Sequence, residues 1–135
     1  MVDDSLYKIF TLCNSSILKF IANDLEQEYG VHYGYHCVIN RPGFFANMGV
    51  GWGNGYVEIG GSHPLFEKND SEIRNIDIHG GLTFAEYSLN KKWVFGFDTA
   101  HYGDTLENCP KEYVWEQTIN LARQLREIED NFNKN

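Results

Sequence analysis

The chain has 135 residues, a net charge of −8 at pH 7 and an aromatic content of 15%. This length predicts one domain, residues 1–135, with a substantial core, and the aromatic content argues against disorder. The acidic balance argues against a protein that tracks nucleic acid through its phosphates. It is compatible with a cationic protein partner or with imitation of DNA.

The cysteines and the start of the chain indicate a reducing compartment. Cys13, Cys37 and Cys109 are far apart and lack the paired spacing of a metal site, so we expect free, buried thiols. No basic region followed by an apolar run opens the chain, and no window approaches membrane-spanning length. The sequence therefore predicts a cytoplasmic protein.

The first third of the chain predicts a helix followed by a strand. Apolar residues recur at three- and four-residue steps over residues 5–29, which predicts an amphipathic helix that ends at Gly30. Residues 31–40 are aromatic and β-branched and predict a strand. On that strand His32 and His36 are too far apart to chelate one ion, so we expect a structural or surface role for each.

Glycines recur at every second position in the next segment, FFANMGVGWGNGYVEIGG. The spacing matches neither a phosphate loop nor the dinucleotide-binding fingerprint. Asn54-Gly55 predicts a hairpin turn instead, and glycines on one strand face allow another element or a ligand to approach the backbone. Trp52 at this tip and Tyr56 on the following strand are candidate ligand-binding side chains.

Residues 76–85 and 93–98 alternate in polarity and predict a hairpin closed by a turn at residues 88–91. One face is apolar and is expected to face the core; it carries Ile76, Ile78, Leu82, Phe84, Trp93, Phe95 and Phe97. The opposite face is small and polar; it carries Asp77, His79, Gly81, Thr83, Ala85, Val94, Gly96 and Asp98. Antiparallel pairing places Asp98 near Gly81 and diagonal to His79. The small residues also suit a face that receives a helix.

Three ionisable residues follow this hairpin in the pattern Asp98-x-x-His101-x-x-Asp104, where the chain leaves the sheet. His63, held extended by the proline after it, adds a third imidazole. Imidazoles and carboxylates together can shuttle protons or hold zinc or manganese. The predicted site has catalytic residues His79, Asp98 and His101, candidate metal ligands His63, His79, Asp98, His101 and Asp104, and ligand-binding residues His63, Trp52, Tyr56, Thr83 and Asp77.

A final helix begins near Pro110, a residue that suits a first helical position, and is predicted to run to about Asp130. Its apolar stripe consists of Val114, Thr118, Leu121, Leu125 and Ile128. We expect this helix to cover the sheet. The order of elements predicts an α+β fold, in which an antiparallel sheet of four to five strands is flanked by an N-terminal and a C-terminal helix.

The second half of the chain resembles a family of small uncharacterised bacteriophage proteins. The matching segments, in this order, are Gly55-Tyr56-Val57, His63-Pro64-Leu65, DIHGGLTF at 77–84, WVFGFDTAHYGD at 93–104 and Leu121-Ala122-Arg123-Gln124-Leu125. The resemblance implies a phage protein in the host cytoplasm but no family-wide reaction. Small phage accessory proteins often counter host defence, by binding or degrading a nucleotide signal or by blocking a host protein.

These observations support three hypotheses. The first is a His/Asp site on a sheet face that binds, and as a metal-dependent hydrolase or phosphodiesterase cleaves, a small nucleotide or another phosphorylated ligand. The second is an acidic, non-enzymatic inhibitor that binds a host defence protein, with its charge in residues 67–72 and the final helix. In the third, His79 and Asp98 form a buried pair that only fixes the hairpin. A homo-oligomer is compatible with all three.

Overall fold

The structure, a computed structural model, describes residues 25–88 and 91–134. Its elements are strands β1 (Leu25–His32), β2 (Tyr35–Pro42), β3 (Asn54–Ile59), β4 (Phe84–Tyr87) and β5 (Trp93–Asp98), helices α1 (Phe45–Met48) and α2 (Lys111–Asn133), and a 3-10 helix (Asp70–Glu72). The strands form one antiparallel sheet in the order β1-β2-β3-β5-β4. The predicted α+β class is therefore confirmed. Within the described ranges, no helix is long and apolar enough to cross a membrane.

Helix α2 packs on one face of the sheet, as its apolar stripe predicts. Its buried residues are Val114, Thr118, Leu121, Ala122 and Leu125. All but Thr118 join a hydrophobic core with side chains of the central strands, among them Ile39, Val57, Ile59, Phe95 and Phe97. Gly55 allows α2 to lie close to the sheet, because a Cβ atom at this position would collide with Thr118 Oγ1 and lie 2.8 Å from Phe97 Cζ. The helix extends to Asn133, slightly beyond the predicted end.

The N-terminal prediction is wrong where the structure describes the chain. Residues 5–24 of the predicted helix lie outside the described residues, and residues 25–29 belong to strand β1. The predicted strand 31–40 is in fact interrupted by a turn at Tyr33 and Gly34, whose φ angles of 55° and 84° are left-handed. Two such residues form the tight hairpin turn that antiparallel strands favour. Tyrosine is an unusual residue in that turn, so the sequence signal for it is weak.

The Asn54-Gly55 turn is also a wrong prediction. Both residues lie within β3, where Gly55 pairs with Ile39 on one side and Phe97 on the other. The expected close approach at the glycines does occur. A Cβ atom at Gly51 would collide with the Thr99 side chain, and one at Gly53 with the carbonyl oxygen of Asn40. The glycines therefore serve backbone and helix packing within the fold.

The central hairpin is shorter than predicted and its register is shifted. Strand β4 pairs Phe84 with Gly96 and Ala85 with Phe95, so Ala85 rather than Phe84 shares the face of Phe95. Residues 76–83 are irregular, because left-handed φ angles of 69° at Gly80 and 78° at Gly81 turn the chain. The longer strand was predicted because apolar residues alternate over this segment, but such alternation can also occur in a segment that does not pair with a strand. Residues 89 and 90 of the predicted closing turn lie outside the described residues; on either side of them the Ser88 N–H donates to the Lys92 carbonyl oxygen.

Candidate metal centre

Amide side chains on α2 hold the irregular segment that carries His79. Gln124 bonds both polar groups of the Asp77 backbone at 2.8 Å, and Asn120 donates to the same carbonyl oxygen at 3.2 Å. The backbone N–H of His79 donates to Gln117 Oε1 at 2.8 Å. Because a segment without a strand partner must satisfy its backbone groups otherwise, these amides replace sheet pairing. They fix the position of His79 above the N-terminal half of α2.

Two side chains converge on one nitrogen of His79 and form with it a group of three potential metal ligands. Its Nε2 atom lies 2.9 Å from Oδ1 of Asp104 and 3.8 Å from Sγ of Cys109. The three ligand atoms all lie within 4.8 Å of one another. Cys109 is buried and the Asp104 side chain is 9% exposed, whereas the His79 side chain is 21% exposed. This group could hold a metal ion and remain open to solvent on one side.

Tyr113 contacts the other nitrogen of the His79 ring. Its hydroxyl oxygen lies 2.8 Å from Nδ1, and the two rings are perpendicular at a centroid distance of 5.3 Å. Burial raises the pKa of Tyr113, and the negative charges at Cys109, Glu116 and Asp104 raise it further. The phenol therefore keeps its proton. In a neutral imidazole that donates from Nε2 to Asp104, the Tyr113 hydroxyl donates to Nδ1.

The arrangement is unsuited to a cysteine nucleophile. Burial raises the pKa of Cys109, and the charge of Asp104 raises it further, whereas a nucleophilic thiol needs a lowered pKa. In a nucleophile–histidine–carboxylate triad the nucleophile and the carboxylate bind opposite nitrogens of the imidazole. Here both face Nε2 of His79. The three side chains thus resemble a ligand set rather than a proton relay.

Asp104 is the carboxylate that both histidines share. Burial by itself raises the pKa of this carboxyl, but the hydrogen bond from the His101 backbone N–H and the interactions with the His79 and His101 rings outweigh it and hold the pKa below its usual range. Oδ2 accepts the His101 N–H at 2.9 Å and lies 3.3 Å from Nδ1 of that ring. Asp104 is therefore ionised near neutral pH, with its two oxygens directed at different imidazoles.

Asp98 and Thr83 complete the outer edge of the cluster. Oδ1 of Asp98 lies 3.4 Å from Nδ1 of His101, and its Oδ2 accepts a hydrogen bond from the Thr83 hydroxyl at 2.9 Å. The side chains of His101 and Asp98 are 38% and 31% exposed. The rings of His79 and His101 have centroids 6.0 Å apart. This edge of the cluster is accessible from solvent.

The structure gathers His79, Asp98, His101, Asp104 and Thr83, as the sequence predicts, but with different partners. His79 contacts Asp104, not Asp98 as the predicted hairpin register requires, because residues 76–83 leave the sheet. Asp77 lies beside the cluster and contributes its backbone to the α2 contacts. The predicted roles of these residues in catalysis and ligand binding stay predictions.

His63, Trp52 and Tyr56 lie elsewhere. His63 is 3% exposed, donates from Nε2 to the Leu125 carbonyl oxygen at 2.8 Å and accepts the Leu65 N–H at Nδ1. Since Leu125 is about three helical turns, roughly 18 Å, beyond Tyr113 on α2, His63 does not join the cluster.

Trp52 and Tyr56 are both buried at 5% exposure. The Tyr56 ring packs edge-on against Phe84. The backbone N–H of Trp52 donates to the Cys109 carbonyl oxygen at 2.9 Å. Trp52 therefore helps to position a member of the cluster through its backbone, while its ring belongs to the core.

Tyr113, Cys109 and the three amides of α2 were missed by the sequence interpretation. The amides and Tyr113 share one face of α2, because positions 113, 117, 120 and 124 follow helical spacing. That polar stripe was visible in the sequence, although its partner segment was not. Cys109 could not be recognised as a candidate ligand from the sequence, since a lone cysteine is usually a buried apolar side chain.

Comparison of the chain with models of protein families, with curated proteins and with solved structures finds no match.

Gly80 and Gly81 allow the position of the His101 ring to be tested. Both have left-handed φ angles, but a Cβ atom at Gly80 would collide with Cε1 of His101, whereas one at Gly81 meets nothing within 4 Å. We expect Gly80→Ala and Gly81→Ala to lower the free energy of unfolding by similar amounts, about 1–2 kcal/mol. Only Gly80→Ala should displace the imidazole. Side-chain NMR of His101 checks this, and equal shifts in both variants would contradict the packing.

The buried, neutral His63 predicts a pH dependence of stability. Burial lowers the pKa of His63, outweighing the Leu125 carbonyl and the charge of Glu129, which raise it. The unfolded chain takes up this proton near pH 6.5, so the free energy of unfolding should fall as the pH drops below that value, by at most about 1.4 kcal/mol per pH unit. His63→Gln should lose this part of the slope in urea unfolding between pH 7 and 5. Parallel profiles for the two proteins would refute a neutral His63.

Proposed function

We propose that the protein binds a zinc ion through His79, Asp104 and Cys109 and uses it to hydrolyse a small phosphorylated ligand of the nucleotide class. The observation that carries the proposal is the convergence of Oδ1 of Asp104 and Sγ of Cys109 on Nε2 of His79. Three protein ligands with a fourth position open to water are characteristic of catalytic zinc sites.

The distances between the ligand atoms fit a tetrahedral ion after small movements. Zinc bonds of roughly 2.0–2.1 Å to nitrogen or oxygen and 2.3 Å to sulfur imply ligand separations of about 3.4 Å for N···O and 3.6 Å for N···S. The corresponding separations in the structure are 2.9 and 3.8 Å. For these two pairs, which share His79, shifts of a few tenths of an ångström are sufficient, and the third pair, Asp104 and Cys109, lies within 4.8 Å.

The thiol of Cys109 favours zinc over manganese at this position. Thiolate is a soft ligand that selects zinc, whereas manganese prefers oxygen donors. The raised pKa of Cys109 makes the proton a competitor for the metal but does not prevent binding, because a coordinating metal deprotonates the thiol. Binding should therefore release protons and become tighter as the pH rises.

Tyr113 supports the proposed site from outside the ligand set. With Nε2 used as a metal ligand, a neutral His79 ring would carry its proton on Nδ1, and this N–H would donate to the Tyr113 hydroxyl oxygen, which lies 2.8 Å away. Such a partner fixes the tautomer and the ring orientation of a ligating histidine. Gln117 holds the backbone of the same residue. His79 is thus restrained on both its backbone and its ring.

A bound zinc ion supplies a Lewis acid and a water molecule with a pKa of about 7. His101 is half-exposed beside this centre and is suited to exchange a proton with a reacting group. The hydrogen bonds and ion pairs recorded for the cluster in the described part of the chain involve no Lys or Arg. A bound metal would therefore supply the positive charge at the cluster for an anionic ligand.

The proposed site coincides with the phage-like segments of the sequence. Residues 77–84 and 93–104 carry His79, Asp98, His101 and Asp104. On that resemblance we propose that the ligand is a nucleotide signal of host defence, and that the protein binds or cleaves it in the host cytoplasm.

Metal binding is tested by thermal unfolding and titration calorimetry with zinc chloride after treatment with chelator. Zinc at a hundred times its dissociation constant should stabilise the protein by about 2.7 kcal/mol. His79→Ala and Cys109→Ser should abolish this effect, and Tyr113→Phe should weaken zinc binding about 10–100-fold. His36→Ala is the matched control, because the His36 ring pairs with Tyr29 in the first hairpin. If zinc neither stabilises the wild-type protein nor gives a heat of binding, the proposed centre is refuted.

Turnover is tested by incubating the zinc-loaded protein with linear and cyclic nucleotides and identifying products by mass spectrometry. Hydrolysis should require zinc and disappear in His79→Ala while persisting in His36→Ala, because only the first histidine reaches the cluster. If a nucleotide is bound but recovered intact, the protein sequesters this ligand and does not hydrolyse it. Zinc binding without any effect of nucleotides would favour the acidic inhibitor of a host protein.

A further inference from the structure

We infer that the base of the proposed nucleotide ligand stacks on the ring of Tyr102, so that the site selects nucleotides over phosphorylated ligands without a base. The inference rests on the proposed function, because the zinc centre would hold the phosphate of the same molecule. It deepens that function by assigning a residue to the base.

The side chain of Tyr102 is left entirely to solvent. Its exposure is 107%, so the ring packs against no other residue. The other large aromatic side chains that are exposed in the described part of the chain are only about half exposed and belong to other segments: Tyr33, Phe44 and Phe132. The ring of Tyr102 contributes nothing to the core, and its flat face is available to a ligand.

The backbone places Tyr102 between two members of the cluster. A four-residue turn is closed by the hydrogen bond from the Asp104 N–H to the His101 carbonyl oxygen at 2.9 Å, and Tyr102 is its second residue. Gly103 supplies the left-handed φ, 91°, that a type II turn requires at its third residue. The Cα atom of Tyr102 is about 3.8 Å from that of His101. A base on this ring and a phosphate at the metal can therefore belong to one nucleotide.

The loop that carries Tyr102 is held by its own hydrogen bonds. Asn108 Nδ2 donates to the Gly103 carbonyl oxygen at 3.0 Å. The side chains of Thr105 and Asn108 accept each other's backbone N–H at 3.1 and 2.9 Å, and the Cys109 N–H donates to the Thr105 carbonyl oxygen at 2.8 Å. The exposure of Tyr102 is thus a property of an ordered loop. A ligand that stacks there loses less affinity to the ordering of the loop.

The other aromatic side chains considered for the ligand are already occupied. Trp52 and Tyr56 are buried, and the ring of Tyr113 packs edge-on against His79. A metal ion would attract the phosphate but has no means of selecting a base. Stacking on an aromatic ring is suited to that task, because every base has a flat face. Tyr102 is the side chain beside the cluster that offers such a ring to solvent.

Binding of nucleotides and of a ligand without a base tests the role of Tyr102. The zinc-loaded full chain is titrated by calorimetry with the monophosphates of adenosine, guanosine, cytidine and uridine, and with ribose phosphate. The wild type should bind at least one nucleotide more tightly than ribose phosphate. Tyr102→Ala should weaken the binding of that nucleotide about 5–150-fold, as expected for the loss of one stacked base, and leave ribose phosphate unaffected.

Two control variants separate the ring from other effects. Tyr102→Phe keeps the ring and should bind as the wild type does. Phe132→Ala removes another exposed aromatic side chain, near the end of α2, and should also leave binding unchanged. Zinc affinity, measured on the same samples, should be equal in all these proteins, which shows that they are folded with an intact centre.

The outcomes separate the inference from the proposed function. If Tyr102→Ala binds nucleotides as tightly as the wild type, or weakens ribose phosphate equally, Tyr102 does not hold a base and the zinc centre stands. A wild type that binds nucleotides no better than ribose phosphate also overturns the inference. If the wild type binds zinc but none of these phosphates, the nucleotide ligand is refuted together with the role of Tyr102. A wild type without zinc refutes the centre as well.

Discussion

The contact between α2 and the segment before β4 is the constraint on which the candidate centre depends. Gln117, Asn120 and Gln124 bond the backbone of Asp77 and His79, and the same helix contributes Tyr113 to the His79 ring. The apolar face of α2 is anchored to the sheet where Gly55 admits Thr118. One helix thus connects the core to the cluster, so core packing determines where His79 lies.

Asp104 dominates the electrostatics of the cluster because both histidines and a backbone N–H converge on it. Its ionised carboxylate requires positive charge or donated protons nearby. Protons on the imidazoles meet that requirement, and metal ions would meet it by replacing them. A metal ion held by this group would displace protons, so the proposed metal binding would depend on pH.

Much of the fold follows from local patterns. The apolar stripe of α2 and the buried runs of β3 and β5 identify these elements directly, because each buries a continuous face in one core. The first hairpin and the segment 76–83 were interpreted incorrectly. Residues 25–29 show helical spacing but pair with β2. The segment before β4 alternates, but its backbone at Asp77 and His79 is held by side-chain amides of α2 rather than by a strand. In both cases tertiary hydrogen bonds overrode the local pattern.

The sequence by itself determined most residues of the cluster. His79, Thr83 and the Asp98-x-x-His101-x-x-Asp104 pattern were all identified from their spacing. Only the tertiary structure decided that Asp104 rather than Asp98 contacts His79, that Cys109 and Tyr113 join this group, and that His63 does not. The reason is physical. Spacing along a chain relates neighbours within one element, whereas this cluster forms where an irregular segment, a loop and the start of a helix meet.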